Sequence, residues 1–167
     1  MHPRNDHPFL HTARIAIPPE VRAYLITLLN STLSCSVDLR SHIKQAGWTV
    51  KGADVLQLQA LFATMATELE AYTDLVAERI AVLGGVARGT TRTAATQSTL
   101  REYPSDLVEG QAHMLALAER FASYATGLRA DIAHATDVED AGSAALYTDI
   151  SRGVDKQLGV LDAHLHR

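Results

Sequence analysis

Between Pro19 and Pro104 the chain has no proline, although prolines stand at 3, 8, 18, 19 and 104. Proline removes a backbone donor and clashes with the preceding turn, so a long proline-free stretch is where long helices can run uninterrupted. The composition agrees with that reading. Aromatic residues make up 5% of the chain and apolar residues 47%, with Ala and Leu abundant, which favours helices over sheets.

Apolar spacing divides the stretch. Pro18 and Pro19 are well placed to open a first helix, expected to reach about Val50. Its stripe is Leu25, Leu28, Leu29, Thr32, Leu33, Ser36, Leu39, Ile43 and Ala46. Gly52 ends it, and Asp54 is the expected cap of a second helix running to Leu83, before the stop signal Gly84-Gly85. Residues 86–99 are rich in Thr, Ala and Arg and lack a stripe, so they read as a crossover, with a short helix expected near Thr96–Arg101. After Pro104, Ser105 or Asp106 is expected to cap a third long helix to Ala135, and a fourth should span Ala141–Leu165.

Two short turns and one long crossover are the connections of an all-α, ferritin-like four-helix bundle. Residues 1–18, rich in Pro and His, read as a flexible tail, and 19–167 as one domain. Lys and Arg number 15 against 19 Asp and Glu, a net charge of −4, so the chain has no bulk cationic face for nucleic acid. The tail has Arg4 and Arg14 but no lysine, and Asp6 opposes them, which argues against DNA binding. A single cysteine, Cys35, excludes an internal disulfide and suits a reducing interior as an inert buried thiol. No apolar run approaches a membrane span, and the N-terminus lacks the apolar segment of a secretory signal. The expected location is cytoplasmic.

Glu70, Asp74 and Glu78 recur at four-residue steps and form one carboxylate stripe on the second helix. Such a stripe suits two roles. It could be a solvated face balanced by Arg79, or a hard-cation site, since carboxylates one turn apart can bridge Fe(II), Mn(II) or Zn(II). Asp74 lies within TDLVAERIAVLGG, apolar on both sides, as expected of acids at a contact edge.

Four segments carry a specific resemblance: GWTVKG at 47–52, DLVAERIAVLGG at 74–85, STLREYP at 98–104 and DKQLGVLDAHL at 155–165. In register over residues 20–165, they resemble the signature segments of the Dps family, the mini-ferritins named for DNA protection in starved cells. The resemblance implies a hollow shell of twelve subunits that oxidises Fe(II), preferably with hydrogen peroxide, and stores the ferric product. It also implies an oxidation centre shared across a two-fold axis. Two histidines and an acid come from one subunit, and an aspartate and a glutamate come from the other.

The last two align with Asp74 and Glu78. The histidine positions align with Gly47 and Gln59, and the acid with Ala63, so one half of the usual centre is kept and the other is missing. His164, at the end of the last helix, is the candidate replacement ligand, with His42 and His166 as alternatives. An imidazole-rebuilt site also suits Zn(II). Trp48 adjoins the centre in the family, as a scavenger of oxidising equivalents, and packing is its other role. The expected activity is ferroxidase, with Fe(II) and peroxide or O2 as partners. A non-catalytic metal-buffering or zinc-binding shell, and a DNA-compacting Dps, are the alternatives.

Other features have plainer readings. His2, His7 and His11 suit metal capture or an ordinary polar arm. Asp137, Glu139 and Asp140 suit an acidic three-fold pore or the capping of the fourth helix. Asp149 and Asp155 are candidates to face the interior, and His113 and His134 read as surface or satisfied core residues.

Overall fold

Leu25, Leu29, Leu33, Leu39, Ile43 and Ala46 are fully or almost fully buried, one face of a helix that winds for 31 residues. The computed structural model describes residues 10–165. In it α1 spans Pro19–Thr49, α2 Val55–Val82, α3 Thr91–Gln97, α4 Gly110–Asp137 and α5 Ala141–Leu165. At 1.5 Å per residue the four long helices extend for roughly 37–46 Å. Helix α1 packs along α2 and α4 along α5; the two hairpins meet through α1 with α4 and α2 with α5. Phe62, Met65, Leu69 and Ile80 of α2 meet the α1 stripe in one core with Leu117, Phe121 and Leu128 of α4 and Tyr147, Ile150, Val154 and Leu161 of α5. This is the expected all-α bundle, with the short α3 on the crossover between α2 and α4.

Two expectations about that crossover are corrected. The short helix lies earlier, at Thr91–Gln97, because Thr90 caps it by accepting a hydrogen bond from the Thr93 amide at 3.2 Å. The third long helix starts at Gly110 rather than at Ser105 or Asp106. Ser105 and Asp106 form a turn, and the chain after it is held out of the helix as far as Glu109, since the Lys51 amide donates to the Val108 carbonyl at 2.9 Å. Asp54 does sit at the N-cap of α2, but its side chain makes no capping hydrogen bond.

His2 and His7 lie outside the described residues. Residues 10–17 are non-helical and anchored. The His11 amide donates to the Gly84 carbonyl at 2.7 Å, and Ile15 and Ile17 pack on the core. Gly84 takes φ +84°, and a Cβ there would lie 2.7 Å from the His11 carbonyl oxygen, so this turn requires glycine on both counts. No described helix is long and apolar enough to cross a membrane.

Candidate metal centre

The outer face of α2 carries both halves of the candidate site. With 100° per residue, Gln59, Ala63, Glu70, Asp74 and Glu78 fall within roughly 100° of arc, and all five are exposed. Glu70 is paired, its carboxylate 2.9 Å from Arg40. Asp74 and Glu78 have no ion-pair partner among the described residues. Arg79, the expected counter-charge, turns inward instead. Its guanidinium donates twice to the buried Asp140, at 2.7 and 2.9 Å, and its Nε donates to Ser143 Oγ at 3.1 Å. The two carboxylates, one turn apart, thus face outward with no counter-charge among the described residues.

Nearer the start of the same helix, Gly47, Gln59 and Ala63 line one cleft of about 250 Å³ with Ile43, Lys44, Trp48 and Phe62. These are the three positions from which the resemblance implies missing ligands. Gln59 Nε2 donates to the Gly47 carbonyl at 3.2 Å. A Cβ at Gly47 would make only ordinary contact, 3.8 Å from the Phe62 Cβ, so the glycine is not forced by crowding. Trp48 is 70% exposed, which sets the packing role aside within one subunit; Lys44 Nζ stands 5.9 Å from its ring centre.

One chain cannot join the two halves. From Gln59 to Asp74 is about 22 Å along the helix axis. His164 lies at the same end as the cleft: it lines a separate cavity with Lys51, Asp54, Gln57 and Glu109. Its Nδ1 lies 2.8 Å from the Val160 carbonyl, leaving Nε2 for another partner. Among the described residues no three His, Cys, Asp or Glu side chains of one chain converge on a point that could hold a metal ion. His42 is buried in the bundle 3.2 Å from Asp38, away from the α2 face, and His166 lies outside the described residues.

The other acids divide. Asp140 is buried and accepts from the Ser143 amide at 3.2 Å, as a cap of α5 does. Burial pushes its pKa up, but the hydrogen bonds from Ser143 and Arg79 and the guanidinium charge outweigh that and hold it below the usual carboxylate range. Asp137 and Glu139 are exposed. Asp149 and Asp155 pair with Arg152 and Arg129, at 3.4 and 2.7 Å.

A family model described as a ferritin-like domain matches residues 26–167. The chain is 32% identical over 155 residues to the DNA protection during starvation protein of Agrobacterium fabrum, a match covering 93% of this chain and 96% of that one. The chain belongs to the Dps family. Solved Dps structures superpose closely on it. DpsC from Streptomyces coelicolor does so with a TM-score of 0.89 at 27% identity, over 93% of this chain and 91% of that one. Dps from Mycobacterium smegmatis gives 0.88 at 25% identity, over 93% of each. This chain is thus a mini-ferritin by fold and by sequence. The expected bundle with its long crossover is the Dps bundle.

Proposed function

We propose that this Dps protein oxidises Fe(II) at a site between two subunits and stores the ferric product inside a twelve-subunit shell. The observation that carries the reading is the unneutralised pair Asp74 and Glu78, exposed one turn apart on the α2 face that also carries the cleft at Gly47 and Gln59. Two copies of α2 running antiparallel about a two-fold near Glu68 and Leu69 would set each acidic pair against the partner's cleft. In that arrangement Asp74 and Glu78 hold iron as a substrate, oxygen donors suiting a hard cation better than they suit Zn(II). From the opposite side the cleft itself offers the Gln59 carbonyl oxygen, and the His164 Nε2, in the separate cavity at the same end, is the imidazole donor of that half. Two Fe(II) ions each lose one electron; peroxide takes both, its O–O bond breaks, and two protons complete two waters. Consuming peroxide and Fe(II) together denies the solution the pair that generates hydroxyl radicals. Trp48, beside the cleft, is placed to give up an electron to any stray oxidant.

The test is anaerobic loading with Fe(II) followed by hydrogen peroxide, with the ferric absorbance recorded in stopped flow. A fast rise in the native protein that disappears in Asp74→Ala/Glu78→Ala supports the reading; a rise of unchanged rate in that variant overturns it. His164→Ala is expected to slow the rise if the imidazole is a ligand, and leaves it unaltered if it is not.

A second reading, a shell that buffers metal without fast oxidation, is favoured by one observation. Gln59 gives its Nε2 to the Gly47 carbonyl, leaving one amide oxygen as the whole donor set of the cleft, since neither Gly47 nor Ala63 has a donor side chain. It predicts Fe(II) binding with no fast ferric phase in the native protein.

A further inference from the structure

A buried phenol–imidazole pair lies in the bundle away from the α2 face. Tyr103, at the end of the crossover and 8% exposed, donates its hydroxyl to Nδ1 of the fully buried His113 at 2.6 Å, and the two ring planes lie within 8°. His113 Nε2 is 3.3 Å from Thr49 Oγ1, and Thr49 gives its own proton to the Gln45 carbonyl at 2.8 Å. The Thr49 oxygen is then the acceptor, so Nε2 carries the ring proton and Nδ1 presents a lone pair to the phenol. The His42 ring stacks on Tyr103 with centroids 5.3 Å apart, and the Arg120 guanidinium stands 5.3 Å from the phenol ring.

A phenol is hard to oxidise while it keeps its proton, because the cation radical is a very strong acid. A neutral base already in hydrogen-bond contact removes that obstacle. Burial holds the His113 imidazole pKa below its ordinary value, so the ring is neutral and ready, while the Leu107 carbonyl acts in the opposite direction, favouring the protonated ring. Among the described residues no other tyrosine is hydrogen-bonded to an imidazole. Tyr124 bonds to Ser36 Oγ and Tyr147 to Thr32 Oγ1, hydroxyls that cannot hold an extra proton, and Tyr24 only meets the His134 ring edge-on at 6.3 Å.

We propose that Tyr103 and His113 form a proton-coupled one-electron donor, a buried place where an oxidising equivalent that enters at the protein surface comes to rest. The Tyr103 O–H bond breaks, its proton passes to His113 Nδ1, and its electron passes to a one-electron oxidant such as a peroxide-derived radical or an outer-sphere metal complex. The products are a neutral phenoxyl radical, an imidazolium and the reduced oxidant. Tyr103 is 8% exposed at the wall of an open cavity with Glu102, Pro104 and Arg120, so a colliding oxidant meets little of its ring, and the electron has a route through the protein. Trp48 is the entry point: it is 70% exposed and precedes Thr49, which touches His113. The inference does not rest on iron oxidation, since any surface oxidant can drive it.

The experiment uses the full chain without iron and a photogenerated ruthenium(III) polypyridyl complex as oxidant, with freeze-quench electron paramagnetic resonance. The native protein should give a tyrosyl signal that Tyr24→Phe retains and Tyr103→Phe abolishes. In His113→Gln the amide can accept the hydrogen bond but not the proton, so the rate of tyrosyl formation should fall by about a hundredfold while oxidised tryptophan persists. A tyrosyl signal of native size in Tyr103→Phe, a native rate in His113→Gln, or a native protein that yields only tryptophan radical would overturn the proposal. Should Tyr103→Phe lose its helical circular dichroism, the His113→Gln rate decides alone.

Discussion

Arg79 shows how one side chain sets the charge of a surface from beneath it. It lies one residue past Glu78 but gives its guanidinium to Asp140, so the carboxylates outside stay uncompensated. Because Asp74 and Glu78 are exposed and unpaired, replacing both by Ala should change stability by less than about 1 kcal/mol in a denaturant melt, while removing any activity that depends on them. Arg79→Ala should behave oppositely. It leaves the buried Asp140 charge without its partner and should cost about 3–5 kcal/mol. The same pair governs the acid limb. Asp140 has a depressed pKa in the fold, so its contribution is present above about pH 4, the unfolded carboxylate range, and is lost as pH falls through the folded value. An acid titration of stability should therefore be shallower in Arg79→Ala than in the native chain.

At the scale of elements, local patterning carried the reading of α1, α2 and α5, whose apolar stripes and Pro or Gly punctuation lie within each segment. It failed where a distant contact decides. Ser105 and Asp106 have cap chemistry, but they form a turn, and the helix starts only after Val108, which Lys51, far back in sequence, binds. The Tyr103–His113 pair was equally silent, since a loop phenol and a helical imidazole ten residues apart match no periodic pattern. At the candidate centre, Asp74 and Glu78 were legible from spacing, whereas the inward turn of Arg79 required the α2–α5 contact to be seen. The Gly84 turn gives an element-scale test: Gly84→Ala should destabilise by about 1–3 kcal/mol and release residues 10–17, so that trypsin cuts faster after Arg14. The polar layer joining α1, the crossover and α4 should make stability pH-dependent. Burial lowers the pKa of both His42 and His113; for His42 the Asp38 and Glu102 charges oppose burial and Arg120 adds to it. Imidazoles with depressed pKa values stabilise the fold above the unfolded value of about 6.5, and that contribution disappears as pH falls below it. Thermal melts from pH 7.5 downward should show the loss, and it should be smaller in His42→Phe.

The whole molecule exposes more apolar side chain than an isolated bundle needs. Trp48 and Leu56 are 70% and 74% exposed, and Leu75 and Val82 also face outward along α2. Leu75 adjoins Asp74, so a subunit seam that completes the centre should cover it. Leu75→Arg should shift sedimentation from a large assembly to small species and abolish iron oxidation together, without loss of helical content. The hydrogen bond from Gln59 to the Gly47 carbonyl ties two positions of the cleft wall to each other. Those positions border the apolar core at Ile43 and Phe62 without belonging to it, so side chains there can be exchanged with little penalty to folding. Gly47→His and Gln59→His should thus be tolerated, and a lineage carrying this bundle could move between vigorous and idle chemistry through a pair of substitutions, its architecture untouched.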